Sequence, residues 1–157
     1  MVYTENTAAF MEKFRVLLKQ GETLPLPVQG NSMAPFLIHK RDQVWITGPD
    51  KPLRVGDIVL YQRTGGAYIL HRICAVKKDG YTLIGDAHEI RETGVRREQI
   101  FGIVVRAQRK GSLQEPGCFW WEFFARVWPR VIPIRSGLLR LYSGVKNNCG
   151  GQHESFR

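Results

Sequence analysis

Residues 5–20 place Phe10, Phe14, Leu17 and Leu18 at helical spacing with charged positions between them, and Gly21 follows where a helix C-terminus favours a residue free to take positive φ. This predicts one amphipathic helix. From Leu24 to about Arg109 the period shortens to runs rich in Val, Ile, Tyr and Thr, broken by Gly, Pro and Asp. Strands are expected at 24–29, 42–47, 57–63, 67–76, 80–84 and 99–108, with hairpin turns at Thr64-Gly65-Gly66 and Lys78-Asp79-Gly80. In the 67–76 strand, alternation puts Ile69, His71, Ile73 and Ala75 on one face and Tyr68, Leu70, Arg72, Cys74 and Val76 on the other. His71 therefore belongs against a core or at a cleft rim, and Cys74 reads as a small buried hydrophobe.

Beyond Arg109 the pattern changes again. Gly111 to Gly117 has the composition of a linker, and Phe119 to Trp128 reads as an aromatic helix ended by Pro129. A second short helix is expected at about Ile134 to Val145, then a disordered Gly- and Asn-rich tail from Lys146. The fold class is thus mainly β (α+β), with one domain over 1–110 that includes helix 5–20, and an aromatic, basic helical extension over 111–157.

Composition adds partners and exclusions. The 157 residues are 43% hydrophobic and 24% charged, as in an ordinary globular domain, but the net charge of +9 calls for an acidic partner. Cys74, Cys118 and Cys149 form no CxxC and no Cys/His cluster, so neither a metal nor another cofactor is expected. Glu5, Glu12, Lys13, Arg15 and Lys19 interrupt any secretory signal, and Glu122 with four arginines interrupts the apolar stretch from Cys118 to Tyr142. The location expected is cytoplasmic or peripheral to a membrane. Two readings of the basic aromatic extension stand. Either its aromatics cover the open edge of the β core, which is favoured, or Trp120, Trp121 and Trp128 lie in a membrane interface with Arg126, Arg130, Arg135 and Arg140 on anionic lipid. Nucleic acid ranks third as a partner.

The chemistry centres on Gly30-Asn31-Ser32-Met33-Ala34-Pro35-Phe36-Leu37 and on Leu70-His71-Arg72-Ile73. A serine hydroxyl is a poor nucleophile until a neutral imidazole or amine takes its proton, and these segments supply one of each. With histidine as the base, the acid limb of activity is expected near 6 to 7. Taken in order, GNSMAPFL, VGDIVLY, ILHRI, LIGDAH and QIFGIVV resemble the type I signal peptidases, particularly the archaeal and endoplasmic-reticulum type with histidine as base. The resemblance spans roughly residues 24–108 and implies a signal-peptidase-like coiled β-sheet domain. It implies a serine endopeptidase that cleaves a precursor or leader peptide, bound as an extended strand, after small residues.

In that frame Ser32 is the nucleophile, His71 the general base, and Asp86 the acid that steadies the imidazolium, with Glu92 as the alternative acid. Gly30 stands where many relatives carry an oxyanion-stabilising serine, leaving the Ser32 N–H and Asn31 as candidate donors. Met33 and Pro35 shape the loop, and Met33 lines the substrate groove. Asp57 reads as a turn former, and His39, His88 and His153 as solvent-facing. Two rivals remain. A LexA-like self-cleaving regulator would use a lysine, but Lys77 and Lys78 lie toward the end of the histidine strand and a single N-terminal helix leaves no room for a helix-turn-helix. The other rival is a non-catalytic peptide- or membrane-binding module.

Overall fold

A computed structural model describes residues 5–130. Helix α1 (Glu5–Lys19) ends in a paired cap: Gly21 N–H donates to Leu18 C=O and Glu22 N–H to Leu17 C=O. Gly21 takes φ +87°, as this cap requires. The buried stripe is Met11, Phe14 and Leu18, whereas Phe10, Val16 and Leu17 stay largely exposed, so the core face is rotated from the expected one. Each buried side chain contributes about 1.5–3 kcal/mol.

Eight strands form one antiparallel sheet: β1 (Leu24–Pro27), β2 (Gln43–Thr47), β3 (Ile58–Gln62), β4 (Tyr68–Lys77), β5 (Gly80–Ile84), β6 (Glu92–Val95), β7 (Ile100–Arg109) and β8 (Ser112–Gln114). Their order is β1-β2-β7-β3-β4-β5-β6, with β8 on β7. Six of these were expected, and both hairpins fall where expected. Arg63 N–H donates to Ala67 C=O across the first turn, and Lys77 pairs with Gly80 across the second. β6 and β8 were not expected, because Glu-Thr-Gly-Val and Ser-Leu-Gln are too short and polar to show alternation. The helix approaches the sheet at Gly102 of β7, where a Cβ would stand 2.5 Å from Ile46 Cγ2 and 3.3 Å from Leu18 Cδ1. Only glycine leaves room for that contact.

Alternation divides the central strands between two apolar clusters. Ile58 and Leu60 of β3, and Tyr68 and Leu70 of β4, face the larger cluster with α1. Val59, Tyr61, Ile69 and Ile73 face the smaller one with Leu83, Val95 and Ile100. Both faces of the sheet centre are therefore covered.

The chain then makes one turn of α-helix (α2, Phe119–Glu122), a wider turn over Phe123–Val127 and a tight one over Trp128–Arg130. Pro129 sits inside that last turn instead of ending the run at its edge. Trp121, Phe124 and Trp128 are buried in the larger cluster, while Phe119 and Trp120 are exposed. The Arg109 guanidinium lies over the rings of Trp120, Phe36 and Phe124 at 5.3, 5.8 and 5.9 Å. The helix expected at 134–145, with Arg135 and Arg140, and the tail with His153 and Cys149 lie outside the described residues.

Candidate active site

The serine loop is a run of turns between β1 and β2. Met33, Phe36 and Leu37 anchor it, each almost fully buried, and Ala34 N–H to Asn31 C=O and Leu37 N–H to Met33 C=O close its turns. The Ala34-Pro35 peptide is cis, and Arg109 donates to the carbonyls of Pro35 and Phe36. Apolar anchors on one side leave Ser32 half-exposed and Asn31 exposed on the other. Gly30, at φ +77°, gives its N–H to His39 Nδ1 at 2.9 Å. His39 is therefore half-buried and engaged by the loop, a correction to its solvent-facing reading. The Ser32 carbonyl accepts the Ala87 N–H at 2.9 Å, which ties the loop to the segment after β5.

His71 projects from β4 and is 4% exposed. Its Nε2 and the Ser32 carbonyl both border Gly85, just after β5. A Cβ built on Gly85 would lie 2.5 Å from the Ser32 carbonyl oxygen, 3.1 Å from His71 Nε2 and 3.0 Å from His88 Nδ1. Any side chain at 85 would fill the space between serine loop and imidazole, so this glycine keeps that space open. Among the described residues the Ser32 hydroxyl makes no hydrogen bond, to His71 or to another group. Serine–base bonds commonly tighten only when substrate is bound. The opposite ring nitrogen, Nδ1, lies 3.2 Å from the Tyr61 hydroxyl.

Burial holds the His71 imidazole well below its usual range, to about 4; the neighbouring His88 adds to this, Glu92 opposes it and Arg63 adds further. At neutral pH the ring is uncharged, as a base must be. His88 is exposed, as expected, and its ring also stands edge-on to that of His71 at 5.5 Å.

The two candidate acids separate. Asp86 does not face His71: both its oxygens take hydrogen bonds from Arg72, at 3.0 and 2.8 Å, and both side chains are fully buried. Arg72 also donates to Gly56 C=O, and the Asp86 carbonyl accepts Trp128 Nε1–H at 2.7 Å. The strand register explains the correction. Arg72 pairs with Ile84, and Asp86 falls one alternation beyond, on the Arg72 face and away from His71. Glu92 instead accepts the Tyr61 hydroxyl at 2.7 Å and is clasped by Arg63. Partial burial pushes its carboxyl up, but the hydrogen bonds from Arg63 and Tyr61 outweigh that and hold it below the usual range.

The remaining expectations resolve locally. Met33 lines an apolar cavity that opens beside Ser32. Asp57 accepts Arg54 N–H in its turn. Cys74 is half-buried at a β-bulge, with its thiol on Thr82 C=O, and is not a core hydrophobe. Lys77 and Lys78 are exposed and begin six residues along β4 from His71, roughly 20 Å at strand spacing. Sequence reading missed Tyr61, Arg72 and Gly85. Tyr61 was within reach of strand logic, since Val59 pairs with His71 and Tyr61 lies one alternation further on the same face.

A turn-borne serine and a buried imidazole border the same glycine of an antiparallel sheet domain, the kind of arrangement that a serine peptidase needs. The comparison with protein families agrees: a model described as Peptidase S24-like matches residues 2–105, and the chain belongs to that family, within the LexA and signal-peptidase superfamily. Membership points to serine peptidase activity of that kind, with the substrate unspecified. No curated protein matches the chain.

Proposed function

We propose that this chain is a signal-peptidase-like serine endopeptidase in which Ser32 attacks the scissile carbonyl of a precursor peptide and His71 takes its proton. The observation that carries the reading is the convergence of the serine loop and His71 Nε2 on the space kept open at Gly85. The steps follow from ordinary acyl transfer. Nε2 accepts the hydroxyl proton as Oγ bonds to the carbonyl carbon, then returns it to the leaving amine; water, deprotonated by the same nitrogen, releases the acyl group. The Ser32 N–H, which makes no hydrogen bond among the described residues, is the candidate oxyanion donor.

Substrate placement follows the sheet. β1 is an edge strand leading into the serine loop, and Val28 N–H bonds back to Asp42. Alternation then turns the carbonyls of Pro25 and Pro27 outward, as acceptors for the N–H groups of an extended peptide. The cavity beside Ser32, of about 350 Å³ and lined by Met11, Leu26, Val28, Met33 and Leu70, suits an uncharged side chain.

The test is turnover of an Ala-x-Ala peptide by purified protein. Ser32→Ala and His71→Ala are each expected to lose at least about 10³-fold in kcat, with unchanged melting in Ser32→Ala and a folded protein at assay temperature in His71→Ala. Cleavage that survives in Ser32→Ala would end the assignment.

A further inference from the structure

The acid of this site does not touch the base. Between His71 and Glu92 stands Tyr61, and the three form a line: His71 Nδ1 at 3.2 Å from the Tyr61 oxygen, and that oxygen at 2.7 Å from Glu92 Oε2. A carboxylate has no proton to give, so Tyr61 must donate to Glu92. Its single proton is then spent, and toward His71 the phenol oxygen can only accept. His71 must therefore carry its proton on Nδ1, which leaves the Nε2 lone pair aimed at Gly85 and the serine loop. We infer that Tyr61 is the positioning residue of this site, selecting the base-competent tautomer of His71 by handing the orientation of the Glu92 carboxylate across one hydroxyl.

The inference rests on the reading of His71 as the base and adds what sets its proton. Two features show that the line is built and not incidental. Tyr61 is fully buried, so its hydroxyl has no water to bond instead. Glu92 is held in place by Arg63, whose Nε and Nη2 both reach it, which fixes the direction in which Tyr61 points. Burial and Glu92 together push the Tyr61 phenol far up from its ordinary value, so it does not ionise in the working range. When His71 takes the serine proton on Nε2, its Nδ1–H goes on donating to the Tyr61 oxygen and the Tyr61 hydroxyl goes on donating to Glu92. No proton crosses the line; the Glu92 charge stabilises the imidazolium through it. The charged and titratable groups around the ring are Tyr61 of β3, Arg63 just beyond it, His88 after β5 and Glu92 of β6.

The decisive variant is Glu92→Ala, because it removes the acceptor and leaves Tyr61 intact. The freed hydroxyl turns to donate to Nδ1, so the tautomer reverses and the proton moves to Nε2. In ¹⁵N spectra of the imidazole nitrogens near neutral pH, the wild type is expected to show protonated Nδ1 and unprotonated Nε2, and Glu92→Ala the reverse. Glu92→Gln, whose amide oxygen still accepts from Tyr61, is expected to restore the wild-type pattern. The rate of Ser32 modification by a fluorophosphonate should fall on the order of 10²-fold in Glu92→Ala and recover most of that in Glu92→Gln. Tyr61→Phe should lose the tautomer preference. A wild-type ring protonated on Nε2, or a pattern unchanged in Glu92→Ala, overturns the inference. Its failure is distinct from that of the peptidase reading: a wild type that neither cleaves peptide nor reacts with the fluorophosphonate refutes the function, while the ring spectra still decide the tautomer.

Discussion

At the scale of single residues, the environment of His71 changes what a histidine base would do in solution. An exposed imidazole would lose its function below about pH 6 to 7, whereas the buried His71 stays neutral down to about 4. The acid limb of kcat/KM is therefore expected near 4, below the range that the bare residue type implies. Stability carries the same mark. Between about 4 and the ordinary value of 6.5, the unfolded chain binds a proton at His71 that the native protein does not, so this residue's contribution rises with pH through that window and is flat above it. Urea melts of wild type and His71→Gln between pH 4 and 7 check this: the wild type should lose the greater stability on acidification. Ser32 and His71 stood out in the sequence as candidates, because GNSMAP and LHRI each carry a local signature. Which acid approaches His71 did not. Asp86 and Glu92 both fit by position, and only the strand pairing, which sends Asp86 to Arg72 and Glu92 to Tyr61, separates them.

Among elements, the β3-β4-β5 register sorts the polar groups into two separate networks on opposite faces. His71 and Tyr61 share the face of the smaller cluster, and the Arg72–Asp86 pair lies on the other. Strand alternation was read correctly from Tyr68 to Ile73, and it already put Arg72 opposite to His71; the bulge at Cys74 then reverses the faces, so Ala75 does not share the face of Ile73 as expected. What the alternation lacked was the partner: a fully buried arginine needs a carboxylate, and Asp86 is the acid that the register delivers to it. Asp86→Asn is accordingly expected to act on the fold. It leaves the Arg72 charge buried without its counterion, at a cost of about 3–5 kcal/mol, seen as a lower melting temperature. Below that temperature, the fluorophosphonate reactivity of the folded protein should stay within a few-fold of wild type. A variant with wild-type melting and a collapsed rate would return Asp86 to the chemistry. The strands that escaped prediction, β6 and β8, are short and take their stability from the neighbours they pair with, a tertiary effect that local patterning does not carry.

Across the whole molecule, the aromatic segment after β8 is part of the core that supports the site. The family match ends at residue 105, yet Trp121, Phe124 and Trp128 lie in the same cluster as Phe36 and Met33 of the serine loop. Trp128 also reaches the Asp86 carbonyl, next to Ala87, whose N–H holds the Ser32 carbonyl. The sequence favoured a core-covering role for the aromatics without deciding it, since a Trp- and Arg-rich run looks the same whether it covers a core or meets a lipid surface. Their packing settles the role of these three rings. Trp128→Ala should destabilise the protein by about 3–5 kcal/mol, from the lost ring and the cavity it leaves, and Trp128→Phe by less. Thermal melts of the two variants check the order. Melting equal to wild type in both would mean that the segment merely rests on the domain.

The central claim, that Ser32 is a nucleophile served by a neutral His71, is tested most directly by the pH dependence of Ser32 phosphonylation, followed by intact mass and peptide mapping. The fluorophosphonate forms an Oγ–P bond and loses fluoride, so the adduct marks the attacking atom itself. The expected result is one adduct, on Ser32, forming at a rate that rises through about pH 4 and is lost in Ser32→Ala and His71→Ala. An adduct elsewhere, or a rate on Ser32 that ignores both pH and the removal of His71, would contradict the account.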